Sequence, residues 1–93
     1  MDAKLQELLQ EAAKSLKAAG ARDVFVFGSA AEGELREGCD VDLAVSGLPP
    51  ERFFEAMSDV VDIFKRPVDL VDLDESSLFT EYLVKRGKLR RVA

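Results

Sequence analysis

The sequence predicts a small α/β (α+β) domain, a mixed sheet of about three to four strands flanked by helices, spanning residues 1–93 as one unit. Three observations support this. Hydrophobic spacing alternates along the chain between helical and extended periods, in the order helix, strand, turn, strand, helix, strand, helix. The second and third strands are separated by a helical stretch of about 15 residues, the length a parallel crossover requires. The 93 residues suffice for one compact domain, and no repeat, linker or low-complexity tract divides them.

Each element has a local cause. Leu5, Leu8, Leu9, Ala12, Leu16 and Ala19 recur at three- and four-residue spacing, which predicts a helix over 3–19 with one apolar stripe, ended by Gly20. Asp23 to Phe27, with Val24 to Phe27 an unbroken apolar run, reads as a short buried strand. Gly28-Ser29 ends it, and residues 30–39 read as a short helical turn plus loop. In Asp40 to Val45 the residues Val41, Leu43 and Val45 alternate with Asp40, Asp42 and Ala44, the pattern of a strand. Pro49-Pro50 opens a helix near 50–65, whose apolar face is Phe53, Met57, Val60, Val61 and Phe64. Pro67 to Leu73 is the third strand. Asp74 is the expected N-cap of a last helix over about 75–86, carrying Leu78, Phe79, Tyr82 and Leu83. Residues 88–92 are read as a short edge strand or irregular chain.

Composition removes several kinds of chemistry. Apolar content of 47% with 33% charged residues is that of a globular rather than a disordered chain. No apolar run approaches the roughly 20 residues that cross a bilayer, so no membrane association is expected. The N-terminus is charged and amphipathic, unlike a signal peptide, which makes cytoplasmic residence the default expectation. Cys39 is the one cysteine, so no disulfide forms within the chain. The sequence has no histidine, which removes Ser-His-Asp and Cys-His nucleophile systems and the usual zinc sites. A metal here is expected to have oxygen ligands, which favours Mg²⁺, Mn²⁺ or Ca²⁺. All 18 acids precede residue 85, whereas Lys85, Arg86, Lys88, Arg90 and Arg91 form an acid-free tail. The acidic body argues against general nucleic-acid binding. The tail either contacts a phosphate or acidic partner, or is a solvated helix end whose cations suit the helix dipole.

Asp40 and Asp42 stand two apart on a strand and therefore share a face, roughly 7 Å apart at the backbone. Two such carboxylates repel, and a divalent cation relieves the repulsion. Alone, the pair is equally readable as two solvated aspartates on a polar strand face. Gly28-Ser29 follows a strand and precedes a turn, where free backbone N–H groups and a small hydroxyl hold an anion; the plainer reading is a turn glycine and a capping serine. Asp69 lies within Pro67-Val68-Asp69-Leu70-Val71, where a buried charge needs a partner; otherwise it is an edge-strand aspartate facing water. Asp72 and Asp74 are its rivals. If the first strand runs antiparallel to the second, and the second parallel to the third, Ser29, Asp40, Asp42 and Asp69 meet at one sheet edge.

The run Gly28-Ser29-Ala30-Ala31-Glu32-Gly33, ten residues between Ser29 and Asp40, and then Asp40-Val41-Asp42-Leu43-Ala44-Val45, resembles the signature of the nucleotidyltransferase superfamily that includes DNA polymerase beta and kanamycin nucleotidyltransferase. With the Val68-Asp69-Leu70-Val71 strand and the short length, it looks most like the minimal nucleotidyltransferases, often the antitoxin half of a pair with a helical HEPN protein. The resemblance spans roughly residues 22–87. It implies a nucleotidyltransferase fold, with Asp40 and Asp42 holding two Mg²⁺ ions, Asp69 binding the second ion and accepting the acceptor's proton, and Gly28 and Ser29 orienting the β- and γ-phosphates of ATP. It implies transfer of AMP to a hydroxyl on a HEPN partner, since no stretch after residue 87 is long enough for an acceptor-binding domain.

Two positions depart from the pattern. Ala30 and Ala31 stand where many relatives carry a basic residue, and Cys39 stands where a serine is common. Glu32, Glu34 and Glu37 make the loop acidic, relieved only by Arg36, which is expected to weaken triphosphate binding. The alternative is therefore a catalytically weak or inactive module that neutralises a partner by binding it. A Ca²⁺-binding module fits poorly, because the acids are spread over separate strands. The first helix and the Phe53/Phe54 and Phe79/Tyr82 surfaces are expected to be mostly core, with some area left for a homodimer or hetero-oligomer.

Overall fold

The apolar stripe at the start of the chain folds as the helix α1, Ala3–Ala18, burying Leu5, Leu9, Ala12, Ala13 and Leu16. The computed structural model describes residues 3–33, 40–75, 77–86 and 89–93, and of Ser29 the backbone alone. Cys39, the loop charges Glu34, Arg36 and Glu37, and Lys88 lie outside the described residues. After α1 come the strand β1 (Asp23–Phe27), a 3₁₀ turn over Gly28–Glu32 and the strand β2 (Val41–Ser46). A 3₁₀ turn at Pro50–Arg52 leads into the helix α2 (Phe53–Phe64). The strand β3 (Val68–Asp72), the helix α3 (Leu78–Lys85) and the two-residue strand β4 (Arg90–Arg91) complete the order.

Among the described residues, four strands form one mixed sheet in the order β3-β2-β1-β4. β1 is antiparallel to β2 and to β4, and β2 is parallel to β3, as the crossover length predicts. Alternation then sorts side chains to two faces. Val24, Val26, Val41, Leu43, Val45, Val68 and Leu70 pack against α1 and α2 in the larger core. The opposite face has a smaller core of Phe27, Ala44 and Leu83, with Phe25, Val71, Leu73 and Leu89 partly buried around it. That second face carries the chemistry-bearing residues, and α3, eight residues long, is its helix.

The structure corrects the boundaries near α3. Its N-cap is Ser77, not Asp74: the Ser77 side chain accepts from the Thr80 N–H and Thr80 answers to the Ser77 N–H, a reciprocal capping box. The Asp74 carboxylate instead accepts from the Gly47 N–H at 2.6 Å, tying the end of β2 to the turn after β3. Of the expected apolar residues of α3, Leu83 alone is buried, while Leu78 is 87% exposed. Eight residues make barely two turns, too few for a wide stripe to reach the sheet.

The start of β1 is fastened electrostatically. Asp23 accepts from Arg91 Nη1 at 2.8 Å, Ser46 Oγ at 2.8 Å and Arg22 Nε at 3.2 Å. The Arg91 bond first, then those from Ser46 and Arg22, hold its carboxyl well below the ordinary range. A carboxylate depressed in the folded state stabilises the fold at neutral pH, and this stability is lost as pH falls below about 4. Asp23→Asn is therefore expected to narrow the gap in urea midpoint between pH 7 and pH 3. An unchanged gap would show that solvent screens the cluster.

Candidate active site

The site is built at the edge where β1 ends and β2 and β3 begin. Parallel pairing sets Asp42 directly abreast of Asp69, and antiparallel pairing sets Phe27 abreast of Asp42. Asp40 lies two residues before Asp42, just ahead of β2, and is exposed. Asp42 is half-buried. Burial, and then the nearby carboxylates of Asp69 and Asp40, push the Asp42 carboxyl above its ordinary range. Asp42 thus feels the charge of both other acids, although among the described residues no three are drawn into a ready-made metal cluster.

Of its two readings in the sequence, Asp69 follows the second, an edge-strand aspartate facing water. It is exposed, because β3 is an edge strand of the sheet. Burial is therefore not what demands a partner for it; register with Asp42 is what brings it to the site. The two rivals are engaged elsewhere. Asp72 Oδ1 accepts from the Asp74 N–H at 2.9 Å, and Asp74 holds Gly47.

Gly28 has φ of +69°, and a Cβ built on it would run into the Asp42 carboxylate. Only glycine meets both demands, a left-handed backbone and no side chain against a neighbouring carboxylate. Ser29 follows in the 3₁₀ turn. Ala30 is fully buried beneath this turn, which accounts for a small apolar residue at that position.

The tail supplies what the turn lacks. β4 pairs with β1 through Phe25–Arg91 and Val26–Arg90, and Arg90 Nη1 donates to the Ala31 carbonyl at 3.2 Å. A guanidinium therefore stands beside the turn although Ala30 and Ala31 carry no charge. The sequence offered Arg90 only within a tail that contacts a phosphate or acidic partner, and Phe79 and Tyr82 as mostly core; in the structure these three, with Gly28 and Ala31, border a cleft of about 470 Å³. The acid-free run after residue 84 was the available signal for the cation. A larger cleft, about 540 Å³, opens between the start of α2 and α3 and is bordered by Phe54, Val71 and Asp72. It lies at the far end of β3 from Asp69.

Comparison with known proteins agrees with this geometry. The family described as "Polymerase beta, Nucleotidyltransferase" matches residues 4–89. No curated protein matches the chain. Among solved structures, a toxin–antitoxin complex with AMP-PNP matches with a TM-score of 0.74 and 22% identity, over 90% of this chain and 72% of the other. A mutant of the toxin–antitoxin complex MntA–HpeT, with two Asp-to-Glu changes two residues apart, matches at 0.75 and 19% identity, over 91% and 71%. A structure described as a minimal nucleotidyltransferase matches at 0.69 and 27% identity, over 91% of this chain and 92% of that one. With the family match covering nearly its whole length and its sheet matching these folds, the chain belongs to the polymerase beta-type nucleotidyltransferase family.

Proposed function

We propose that this domain transfers a nucleoside monophosphate, AMP from ATP, to a hydroxyl on a partner protein, as the antitoxin-like component of a pair with a HEPN protein. The observation that carries the reading is the pairing of Asp42 with Asp69 beside a glycine whose side-chain space the Asp42 carboxylate fills. Support for the donor comes from the AMP-PNP held by one solved relative in fold, and support for the partner from the toxin–antitoxin complexes.

The donor set fits Mg²⁺. It consists of carboxylates alone, and burial and then the like charges of Asp69 and Asp40 disfavour the ionised form of Asp42, a cost that a divalent cation relieves. Asp40, Asp42 and Asp69 would hold two ions. When bound, such a pair stabilises the entering and leaving oxygens of an in-line displacement. The protein's own residues do the rest. Gly28 and Ser29 orient the β- and γ-phosphates, and Asp69 takes the proton of the attacking hydroxyl. The hydroxyl oxygen bonds to the α-phosphorus as the bond to the bridging oxygen breaks, and pyrophosphate leaves.

A second reading, a binding module that neutralises its partner without chemistry, draws support from Phe54 at 80% and Leu78 at 87% exposure. Such bare apolar side chains suit a protein interface. One experiment separates the two. The chain is purified with its native partner, incubated with each nucleoside triphosphate and Mg²⁺, and the intact mass of the partner is measured. We expect a gain of one or more AMP units with ATP, abolished by chelator. A partner that stays bound but unmodified with every nucleotide would leave the binding module as the function.

A further inference from the structure

α3 turns most of its large apolar side chains outward. Its eight residues bury Thr80 and Leu83, and Leu83 meets the smaller core on the sheet. The exposed large apolar side chains among the described residues are Phe54, Leu78, Phe79, Tyr82 and Val84, and four of these five stand on α3. Helical geometry orders them. At about 100° per residue, Leu78, Tyr82 and Lys85 form one stripe on the side opposite Thr80 and Leu83, with Phe79 and Val84 on its flanks. Apolar side chains gathered on one helix face mark a protein interface, whereas scattered ones do not.

The two ends of the stripe carry opposite charges. Glu75 stands at the entry to α3, where its carbonyl accepts from Thr80 Oγ1 at 2.9 Å, and it is exposed. Lys85 ends the helix at the other side and is exposed as well. Glu75 lies three residues before Leu78, and Lys85 lies three residues after Tyr82. The face is therefore complementary to itself under a two-fold rotation. Antiparallel helices that set Leu78 against the second copy's Tyr82 also set Glu75 against the second copy's Lys85, and each contact occurs twice. A parallel pair would instead set Glu75 on Glu75 and Lys85 on Lys85, which like charges oppose. Glu81, exposed too, borders the stripe one turn before Lys85, so Lys85 would stand between an acid of its own helix and one of the second copy.

We propose that the outer face of α3 joins two copies of this chain in an antiparallel, two-fold helix pair. Leu78 and Tyr82 form its apolar centre, and Glu75–Lys85 ion pairs close its two ends. An eight-residue helix covers little area, so the dimer is of the transient class, with a dissociation constant on the order of 100 µM. The inference stands on the α3 surface alone and holds whether or not the domain transfers a nucleotide.

Sedimentation velocity of the full chain, from about tenfold below to about tenfold above that concentration, tests it. We expect monomer at the low end and dimer at the high end. Leu78→Asp should leave a monomer throughout. Glu75→Lys and Lys85→Glu should each do the same, because each sets like charges against one another across the two-fold axis. Mixed in equal amounts, the two charge variants should dimerise, since each then meets the opposite charge on the other. The double variant Glu75→Lys, Lys85→Glu should dimerise as the unaltered chain does. These two restorations keep the test independent of any loss of helix stability in the single variants. An unaltered chain that stays monomeric throughout leaves α3 to a different protein and overturns the proposal. A dimer that survives Leu78→Asp overturns it, and so does a mixture of the charge variants that stays monomeric.

Discussion

Asp42→Asn is expected to abolish nucleotidyl transfer while raising the melting temperature of the metal-free domain. The two effects have one cause. The Asp42 carboxyl is pushed above its ordinary range by burial first, then by Asp69 and Asp40. In the folded state its charge is therefore unfavourable, and the penalty grows as pH rises through the raised pKa. Asparagine keeps the shape and removes the charge. At pH 7 with chelator present, the variant should be more stable by roughly 1 kcal/mol, the usual gain when a functional site is relieved. For a domain of this size that is about 4–8 °C in Tm. The gain should fade as pH falls through the raised value and be gone below about pH 4, where the carboxyl is protonated in both folded and unfolded chains. Transfer, by contrast, should fall by at least about 10³-fold, since losing a metal ligand removes several kcal/mol of transition-state stabilisation. Thermal melts across pH and labelled-nucleotide transfer check the two arms. A variant that lost activity and stability together would mean that Asp42 serves the fold rather than the site.

Gly28→Ala should damage the same site from the backbone side. At φ of +69° any side chain is strained, at roughly 1–2 kcal/mol for alanine. The added Cβ would also meet the Asp42 carboxylate, so Asp42 must turn away or the strand must shift. The expected stability loss is about 1–3 kcal/mol. A misplacement of about 1 Å in a catalytic group costs on the order of 10²-fold in rate, and transfer should fall by that much. Gly20→Ala is the control. Gly20 has φ of +119°, and its added Cβ would lie 2.9 Å from Pro49 Cδ, away from the aspartates. It should lose stability and keep transfer per folded molecule. Equal loss of transfer in both variants would refute a specific role for Gly28.

Much of the site is legible in the sequence because its logic is local. Residues two apart on a strand share a face whatever surrounds them, so Asp40 and Asp42 follow from Val41, Leu43 and Val45. The strand Asp23–Phe27 has the bounds its apolar run predicts, and the crossover length predicts that β2 and β3 are parallel, as found. Less was legible near α3. Asp74 and Ser77 are both good caps by type, and the choice fell to Ser77 because Thr80 completes its box and Gly47 claims Asp74. The expected core residues Phe79 and Tyr82 remain half-exposed, since whether a face is covered depends on what the rest of the chain brings to it.

The amino-acid order by itself determined the succession of elements, the acid pair on one strand face, the glycine after β1 and the exclusion of histidine chemistry. These depend on backbone period and side-chain type, which act over a few residues. The tertiary structure alone decided that Asp69 stands abreast of Asp42 on an exposed edge strand, and that Arg90 reaches Ala31 across 59 residues of sequence. It also decided that two rings of α3 border the turn. Those are through-space contacts between distant segments, fixed by how strands pair and which helix covers which face, and no local pattern encodes them.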